Sequence, residues 1–204
     1  AAGYRFKSND PVSELYYAAV RYFKNLGNVP EYSAMTGTAA QKTTWIDGFP
    51  VITNWTDPIQ YSCQRNFILG IGDIYTHADK NLPGTGTGTS LEPTKPTSVS
   101  NDTSVSAVTA TNKAFALQGL GAPNWNNYSG RNNSAGIVGL AYDSHTRDIR
   151  TDLTGTQTID TYWVDVLEQA FVANNQFYLA AKYGGFRVPT GYDTYNNTTT
   201  LADS

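Results

Sequence analysis

A short apolar run, NFILGIGD at residues 66–73, constrains the fold of this chain more than any other feature. An apolar run of this length that ends in Gly72-Asp73 is typical of a strand buried on both faces. Such strands occur in parallel sheets that carry helices on either side. The run therefore predicts an α/β fold in which residues 67–72 form a central strand.

An amphipathic helix is predicted over residues 10–27, with Asp10 as its cap, Pro11 at its first position and Gly27 as its stop signal. Its apolar stripe predicts burial of Leu15 and Val20. The stripe consists of Val12, Leu15, Tyr16, Ala19, Val20 and Phe23. Periodicity further predicts a short strand at 49–53, a weak helix at 104–119, a helix at 134–146, a strand at 158–167, and either state at 176–183.

Two stretches of the chain are too polar to form a core. Residues 84–134 are rich in Gly, Thr, Pro and Asn and predict a loop-rich insertion, of which 84–112 should be accessible and little buried. Residues 189–204 predict a polar tail or linker. The folded unit is therefore expected within residues 1–188.

Composition excludes several classes of protein. The net charge is −3 and no basic run occurs, so phosphate neutralisation in a nucleic-acid complex is not expected. No apolar stretch approaches the roughly 20 residues that span a bilayer. Cys63 is the single cysteine, so it is predicted to be buried or to pair outside this chain.

Several blocks of sequence resemble the type IV pilus tip-associated (PilY-type) adhesin family. The first is DPVSELYYAAVRYF at residues 10–23, and the second is SCQRNFIL at 62–69. Further blocks follow in the family's order across most of the chain: DIYTHADKNLPG at 73–84, GLAY at 139–142, HTRDIR at 145–150, TYWVDV at 161–166 and LAAKYGGF at 179–186.

The resemblance implies a von Willebrand type A-like, Rossmann-like three-layer α/β domain with long loop insertions. The Asp-x-Ser-x-Ser motif that opens such domains does not occur in this sequence. We therefore expect the domain to be incomplete at the N-terminus, with its first strands before Ala1, or to be completed in another way.

The resemblance also implies a metal-ion-dependent adhesion site. It places Asp73 near the third ligand of that site, and Asp10 where the family has the threonine of the second ligand loop. Mg²⁺ or Ca²⁺ would accept these oxygens. The competing interpretation is that Asp10 only caps its helix and Asp73 only starts a turn.

Other side chains admit two interpretations each. Trp45, Trp55, Trp125 and Tyr128 fall in predicted loops, where aromatic residues either bind a ligand or pin a loop to the core. His77, Asp79 and His145 could serve acid–base chemistry, but no nucleophile–base motif accompanies them, which favours exposed or hydrogen-bonded histidines.

The function that the resemblance implies is a non-catalytic adhesion and pilus-tip module outside the cell. Its expected partners are minor pilins, the rest of the same adhesin chain, and a host or abiotic surface. The alternatives are a structural subunit of an extracellular filament or matrix, and a secreted hydrolase that uses Asp73 and His77.

Overall fold

The computed structural model describes residues 9–35, 37–46, 49–86, 92–166, 172 and 174–185. Mixed helices and a parallel strand pair fill these ranges. In chain order the elements are α1 (Val12–Phe23), α2 (Pro30–Ser33), α3 (Ala39–Trp45), β1 (Asn66–Gly72), α4 (Thr97–Ser100), α5 (Ala107–Leu117), α6 (Gly136–Thr146), β2 (Ile159–Asp165) and α7 (Gln176–Tyr183).

Most predicted elements are present. Helices α1, α5 and α6 and strands β1 and β2 lie within or close to their predicted ranges, and the ambiguous segment 176–183 is helical. The short strand predicted at 49–53 is wrong, because these residues form no regular structure. The predicted tail at 189–204 lies outside the described residues.

Strands β1 and β2 pair in parallel, from Asn66 opposite Ile159 to Gly72 opposite Asp165. One face of this pair packs against α6 and α7, and α6 also packs against α1 and α5. On this closed face the Trp163 ring stacks on Phe177 with centroids 4.2 Å apart. Gly70 makes room for it, since a Cβ there would lie 1.9 Å from the indole.

The opposite face of the strand pair is open. Phe67, Leu69, Ile71, Tyr162 and Val164 point to this side and are 40% to 68% exposed. Burial of Phe67 and Leu69, predicted from the apolar run, is therefore wrong within the described residues. The von Willebrand type A-like, three-layer arrangement stays a prediction, because the described elements cover one face of the sheet.

Helix α1 buries Tyr16 and Val20, as predicted, but its buried face differs from the predicted stripe at Leu15. Leu15 is 70% exposed, whereas Glu14, Tyr17 and Arg21 are buried beside Val20. Arg21 is compensated by hydrogen bonds to the carbonyls of Leu26 and Gly27, at 2.8 and 3.0 Å. Burial of Leu15 was thus a wrong prediction, because a helix can bury a charged side chain whose donors are satisfied.

The segment 84–134 contributes to the core. Val99 of α4 and Val105, Ala107 and Phe115 in and beside α5 are buried. Helix α5 lies against α6, where the Gly139 N–H donates to Thr111 Oγ1 at 3.1 Å. The expectation that little of 84–112 is buried is therefore wrong. No helix in the described ranges is both long and apolar enough to cross a bilayer.

Candidate functional site

Two aspartates follow the carboxyl ends of the paired strands. Asp73 comes directly after β1, and Asp165 is the last residue of β2, in register with Gly72. Burial raises the pKa of Asp165, the hydrogen bond from Asn175 lowers it, and the charge of Asp73 raises it further. The carboxyl ends of parallel strands are where ligands of α/β proteins bind. This edge is therefore a candidate ligand-binding site.

Each of these aspartates accepts a hydrogen bond from a nearby residue. Asp73 Oδ1 accepts a hydrogen bond from the Tyr75 N–H at 2.8 Å, so it does start a turn. Asp165 Oδ2 accepts from Asn175 Nδ2 at 2.5 Å. Asp165 Oδ1 is buried and has no hydrogen-bond partner among the described residues. Asp165 thus has a buried carboxylate oxygen without a donor in this part of the structure, and the sequence analysis missed it.

Asp10 does not cap α1. The cap position is occupied by Pro11, without a side-chain hydrogen bond, so the predicted capping role is wrong. The Asp10 carboxylate instead contacts His77 Nδ1. His77 lies four residues after Asp73, so the structure brings Asp10 to the loop that follows β1 and pairs it with the imidazole.

The fit of a divalent cation can be tested on these side chains. Mg²⁺ and Ca²⁺ need several oxygen ligands at one point. The described residues contain no group of three or more acidic, histidine or cysteine side chains arranged to hold a metal. The described residues therefore add no third carboxylate, histidine or cysteine to Asp73 and Asp10, and the role of these two residues as metal ligands stays a prediction.

Asp79 forms the most densely bonded polar cluster near this edge. It is fully buried, and its carboxylate accepts from Ser13 Oγ at 2.8 Å, the Ser134 N–H at 2.6 Å and Thr76 Oγ1 at 3.3 Å. The Ser13 N–H adds a longer contact at 3.4 Å. Burial raises the pKa of Asp79, and these donors oppose the shift. Asp79 therefore joins the start of α1, the loop after β1 and the residues before α6, away from solvent.

A second buried acid, Glu14, lies beside this cluster. Its Oε1 accepts from the Asn81 N–H at 3.0 Å. Burial raises the pKa of Glu14 to about 8, the Asn81 bond opposes this, and the negative charges of Asp79 and Glu92 add to it. Lys80 lies 3.4 Å from Glu92 and compensates that carboxylate.

The protonation of Glu14 gives a testable pH dependence. The folded chain holds a proton that the unfolded chain releases above its ordinary pKa of 4.5. The free energy of unfolding should therefore fall as pH rises from about 4.5 to about 8. Glu14→Gln keeps a carbonyl acceptor but cannot ionise. Between pH 4.5 and pH 8, its free energy of unfolding should therefore fall by at least about 1.4 kcal/mol less than that of the unchanged chain, the equivalent of one pKa unit. Chemical denaturation at pH 5 and pH 8 measures the difference.

Glu31 provides the matched control for that experiment. It is exposed on α2, so Glu31→Gln should leave the pH dependence of stability as it is in the unchanged chain. If Glu14→Gln and the unchanged chain lose the same free energy between pH 5 and pH 8, Glu14 is not protonated in the folded state.

Of the aromatic residues predicted to bind a ligand, three pack against other side chains and one is largely exposed to solvent. Trp55 meets Tyr22 edge-on at 5.6 Å, and Tyr128 meets Phe115 edge-on at 5.7 Å. Trp125 is partly buried against the core. Trp45 is 59% exposed and ends α3, so its predicted placement in a loop is wrong. Trp45 is the predicted aromatic with most surface left for a ligand.

A polar cleft of about 680 Å³ opens at the amino ends of β1 and β2. Its lining includes His145, whose Nδ1 lies 2.9 Å from Asp160 Oδ1, and Cys63. Both histidines of the chain are thus partly exposed and paired with an aspartate, as predicted. Cys63 is exposed and free, so its predicted burial is wrong. A pairing with a cysteine outside this chain stays a prediction.

Comparison with known proteins gives one consistent result. The family model described as the second domain of PilY1 homologs matches residues 7–156. The type IV pilus biogenesis factor PilY1 homolog of Xylella fastidiosa (strain Temecula1) is 49% identical over 217 aligned residues, which cover 99% of this chain and 18% of that relative. No solved structure matches the chain. Since the family model covers most of the chain and the relative is similar over nearly all of it, the chain belongs to the PilY1 homolog family.

Proposed function

We propose that this chain is a non-catalytic module of a type IV pilus biogenesis factor, located at the pilus tip outside the cell. Its 49% identity over nearly its full length to a protein named for type IV pilus biogenesis carries the proposal. The chain spans less than a fifth of that relative. The module acts within the longer factor, through minor pilins and the rest of the same polypeptide, in pilus assembly and attachment to surfaces.

The proposed fold of this module is von Willebrand type A-like. The parallel pair β1–β2, with aspartates at the carboxyl ends of both strands, supports this assignment. Helices α6 and α7 on one face of the pair agree with a sheet that is layered between helices.

The geometry argues against the hydrolase alternative. Asp79 is fully buried among hydroxyl and amide donors, so it cannot reach a substrate. His77 pairs with Asp10, while Asp73 Oδ1 accepts from a backbone N–H. An acid–base pair has to meet the substrate at hydrogen-bond distance. These aspartates serve turns and buried contacts, which supports a binding role rather than turnover.

The attachment role is assigned to exposed apolar side chains. Trp45 lies on α3, a helix without buried residues. Exposed tryptophan side chains contribute large contact areas to interfaces. Trp45 is therefore the proposed contact to a surface or partner.

Removing the module from the full-length factor tests the proposal. A strain with type IV pili that lacks its own factor is complemented with the full-length protein or with a version from which this chain is deleted. The deletion should abolish surface pili and attachment, measured as sheared pilin and as adherent cells. Trp45→Ala should keep the pili and reduce attachment, because Trp45 is 59% exposed and α3 has no buried residue.

Immunoblots of the exported factor control for loss of the protein itself. Leu117→Ala, a change at another exposed apolar residue, controls for Trp45→Ala. Normal piliation and attachment with the deleted factor at normal levels would refute a role for this module.

A further inference from the structure

The polar cleft of about 680 Å³ lies at the amino ends of β1 and β2, at the opposite end of the strands from Asp73 and Asp165. Neither of these aspartates lines it. Its volume is within the range of roughly 300–1,000 Å³ that is usual for clefts that hold small ligands. The cleft is therefore a second place on this chain where a ligand can bind.

One wall of the cleft is held in place by hydrogen bonds between side chains and the backbone. Asn66 Nδ2 donates to the Thr158 carbonyl at 3.1 Å, across the strand pair. Gln64 Nε2 donates to Asn66 Oδ1 at 3.0 Å and to the Pro58 carbonyl at 2.9 Å. A wall that is fixed before binding loses little conformational entropy when a ligand arrives. These two amides therefore give the cleft its shape.

Other groups that line the cleft are unpaired among the described residues. The exposed Arg65 side chain makes neither a hydrogen bond nor an ion pair with them. The unpaired hydroxyls of the lining are those of Ser62, Thr156, Thr158 and Tyr162. A guanidinium is always charged and presents its N–H donors in a planar fork. The cleft therefore offers a ligand one cation and several hydroxyls.

The charges in the cleft are unevenly paired. His145 Nδ1 lies 2.9 Å from Asp160 Oδ1, and these two lining side chains are 32% and 34% exposed. The contact orients the imidazole and leaves Nε2 for a ligand. Asp160 thus has a partner within the lining, whereas Arg65 has none there. A negative group on a ligand would therefore be placed at Arg65.

Two aromatic rings form an apolar side of the same cleft. Phe67 and Tyr162 both line it, with ring centroids 6.2 Å apart, and they are 49% and 40% exposed. The faces of such rings carry partial negative charge and attract C–H groups. A ligand with an apolar face beside its polar groups would contact both sides of the cleft.

We propose that this cleft binds an acidic sugar, whose carboxylate pairs with Arg65 and whose ring packs on Phe67 and Tyr162. Uronic and sialic acids combine a carboxylate, several hydroxyls and a ring face of C–H groups. Arginine binds carboxylates through two parallel hydrogen bonds. Sugar hydroxyls donate to and accept from serine, threonine and tyrosine hydroxyls. An acidic peptide would supply the carboxylate but would leave the hydroxyls and the rings unused. Binding to the chain alone does not depend on the pilus-tip role.

Cys63 reports whether the cleft is occupied, because it lines the cleft, is exposed and is the single cysteine of the chain. Its alkylation by iodoacetamide is followed by mass spectrometry with and without methyl β-glucuronide. A ligand with so few atoms is expected to bind with a dissociation constant of about 1 mM. At about 10 mM it should therefore slow alkylation about tenfold. Methyl β-glucoside, which has the same ring without the carboxylate, should slow it less than about twofold.

A pair of arginine variants tests the charge. Arg65→Gln keeps a polar side chain but removes the cation, so protection by methyl β-glucuronide should fall from about tenfold to about twofold. Arg131 lies over the Tyr75 ring, beyond the carboxyl end of β1, so Arg131→Gln is the matched control and should leave the protection unchanged. Each protection ratio is measured within one variant, so a change in the reactivity of Cys63 itself cancels.

Several results would overturn the proposal. Protection by neither methyl β-glucuronide nor the methyl glycoside of N-acetylneuraminic acid means that the cleft takes no acidic sugar. Equal protection by methyl β-glucoside removes the role of Arg65, and equal protection by acetate or triglutamate indicates a site for any carboxylate. If Cys63 is alkylated far more slowly than in the urea-unfolded chain before any sugar is added, the cleft is filled by the chain itself.

Discussion

Asp79→Ala is expected to lower the free energy of unfolding by about 3–5 kcal/mol, because it leaves several buried hydrogen-bond donors without an acceptor. The carboxylate accepts from Ser13 Oγ, Thr76 Oγ1 and the Ser134 N–H, and it lies within 3.4 Å of the Ser13 N–H. Each buried donor without an acceptor costs about 1–3 kcal/mol, and partial rearrangement recovers part of the sum. Urea denaturation followed by circular dichroism measures the change.

Asp160→Ala serves as the control for this prediction. The Asp160 side chain is 34% exposed and pairs with a half-exposed histidine, so its loss should cost at most about 1 kcal/mol. If Asp79→Ala costs no more than Asp160→Ala, the hydrogen bonds around Asp79 do not hold α1 and α6 together.

Gly139→Val is expected to destabilise the chain by about 3 kcal/mol or more, because it forces α5 and α6 apart. A Cβ at Gly139 would lie 2.4 Å from the Thr111 backbone nitrogen and 2.7 Å from the Ala107 carbonyl oxygen. Backbone atoms inside a packed helix cannot move away as a side chain can. The separation also breaks the hydrogen bond from Gly139 N–H to Thr111 Oγ1.

The matched control is Gly121→Val. A Cβ at Gly121 has no atom within 4 Å among the described residues, and its backbone is not in the left-handed region. The substitution should change stability by less than about 0.5 kcal/mol. Similar unfolding midpoints for the two variants would show that α5 and α6 do not approach as closely as the structure indicates.

The elements of this fold were predictable from local pattern, but the buried face of α1 was predictable only in part, at Tyr16 and Val20. The 3.6-residue period located α1 and α6, and the apolar run located β1, because both signals depend on neighbouring residues. Periodicity placed Leu15 inside, whereas Tyr17 and the compensated Arg21 occupy the core. The partners that satisfy Arg21 include the carbonyls of Leu26 and Gly27, beyond the end of the helix. A hydrophobicity pattern has no information about them.

The residues of the candidate site were also predictable from the sequence only in part. Asp73 could be placed at the carboxyl end of a strand because it directly follows the apolar run. Asp165 required the register of β1 and β2, which joins residues more than 90 positions apart. The pairing of Asp10 with His77 spans 67 positions. Such contacts depend on topology, which the sequence pattern did not determine.

The contacts of Asp79 also limit the order in which this chain can fold. Ser13 lies 66 positions before Asp79, and Ser134 lies 55 positions after it. Closing loops of this length costs entropy before any contact is made, which slows folding. In a polypeptide that emerges N-terminus first, α1 and the loop after β1 are present before Ser134. The Asp79 carboxylate lacks the Ser134 N–H until that residue has emerged. The core around Asp79 is therefore completed only after about two thirds of the chain has emerged. Folding intermediates before that point have the Ser13 and Thr76 donors for Asp79 but lack the Ser134 N–H.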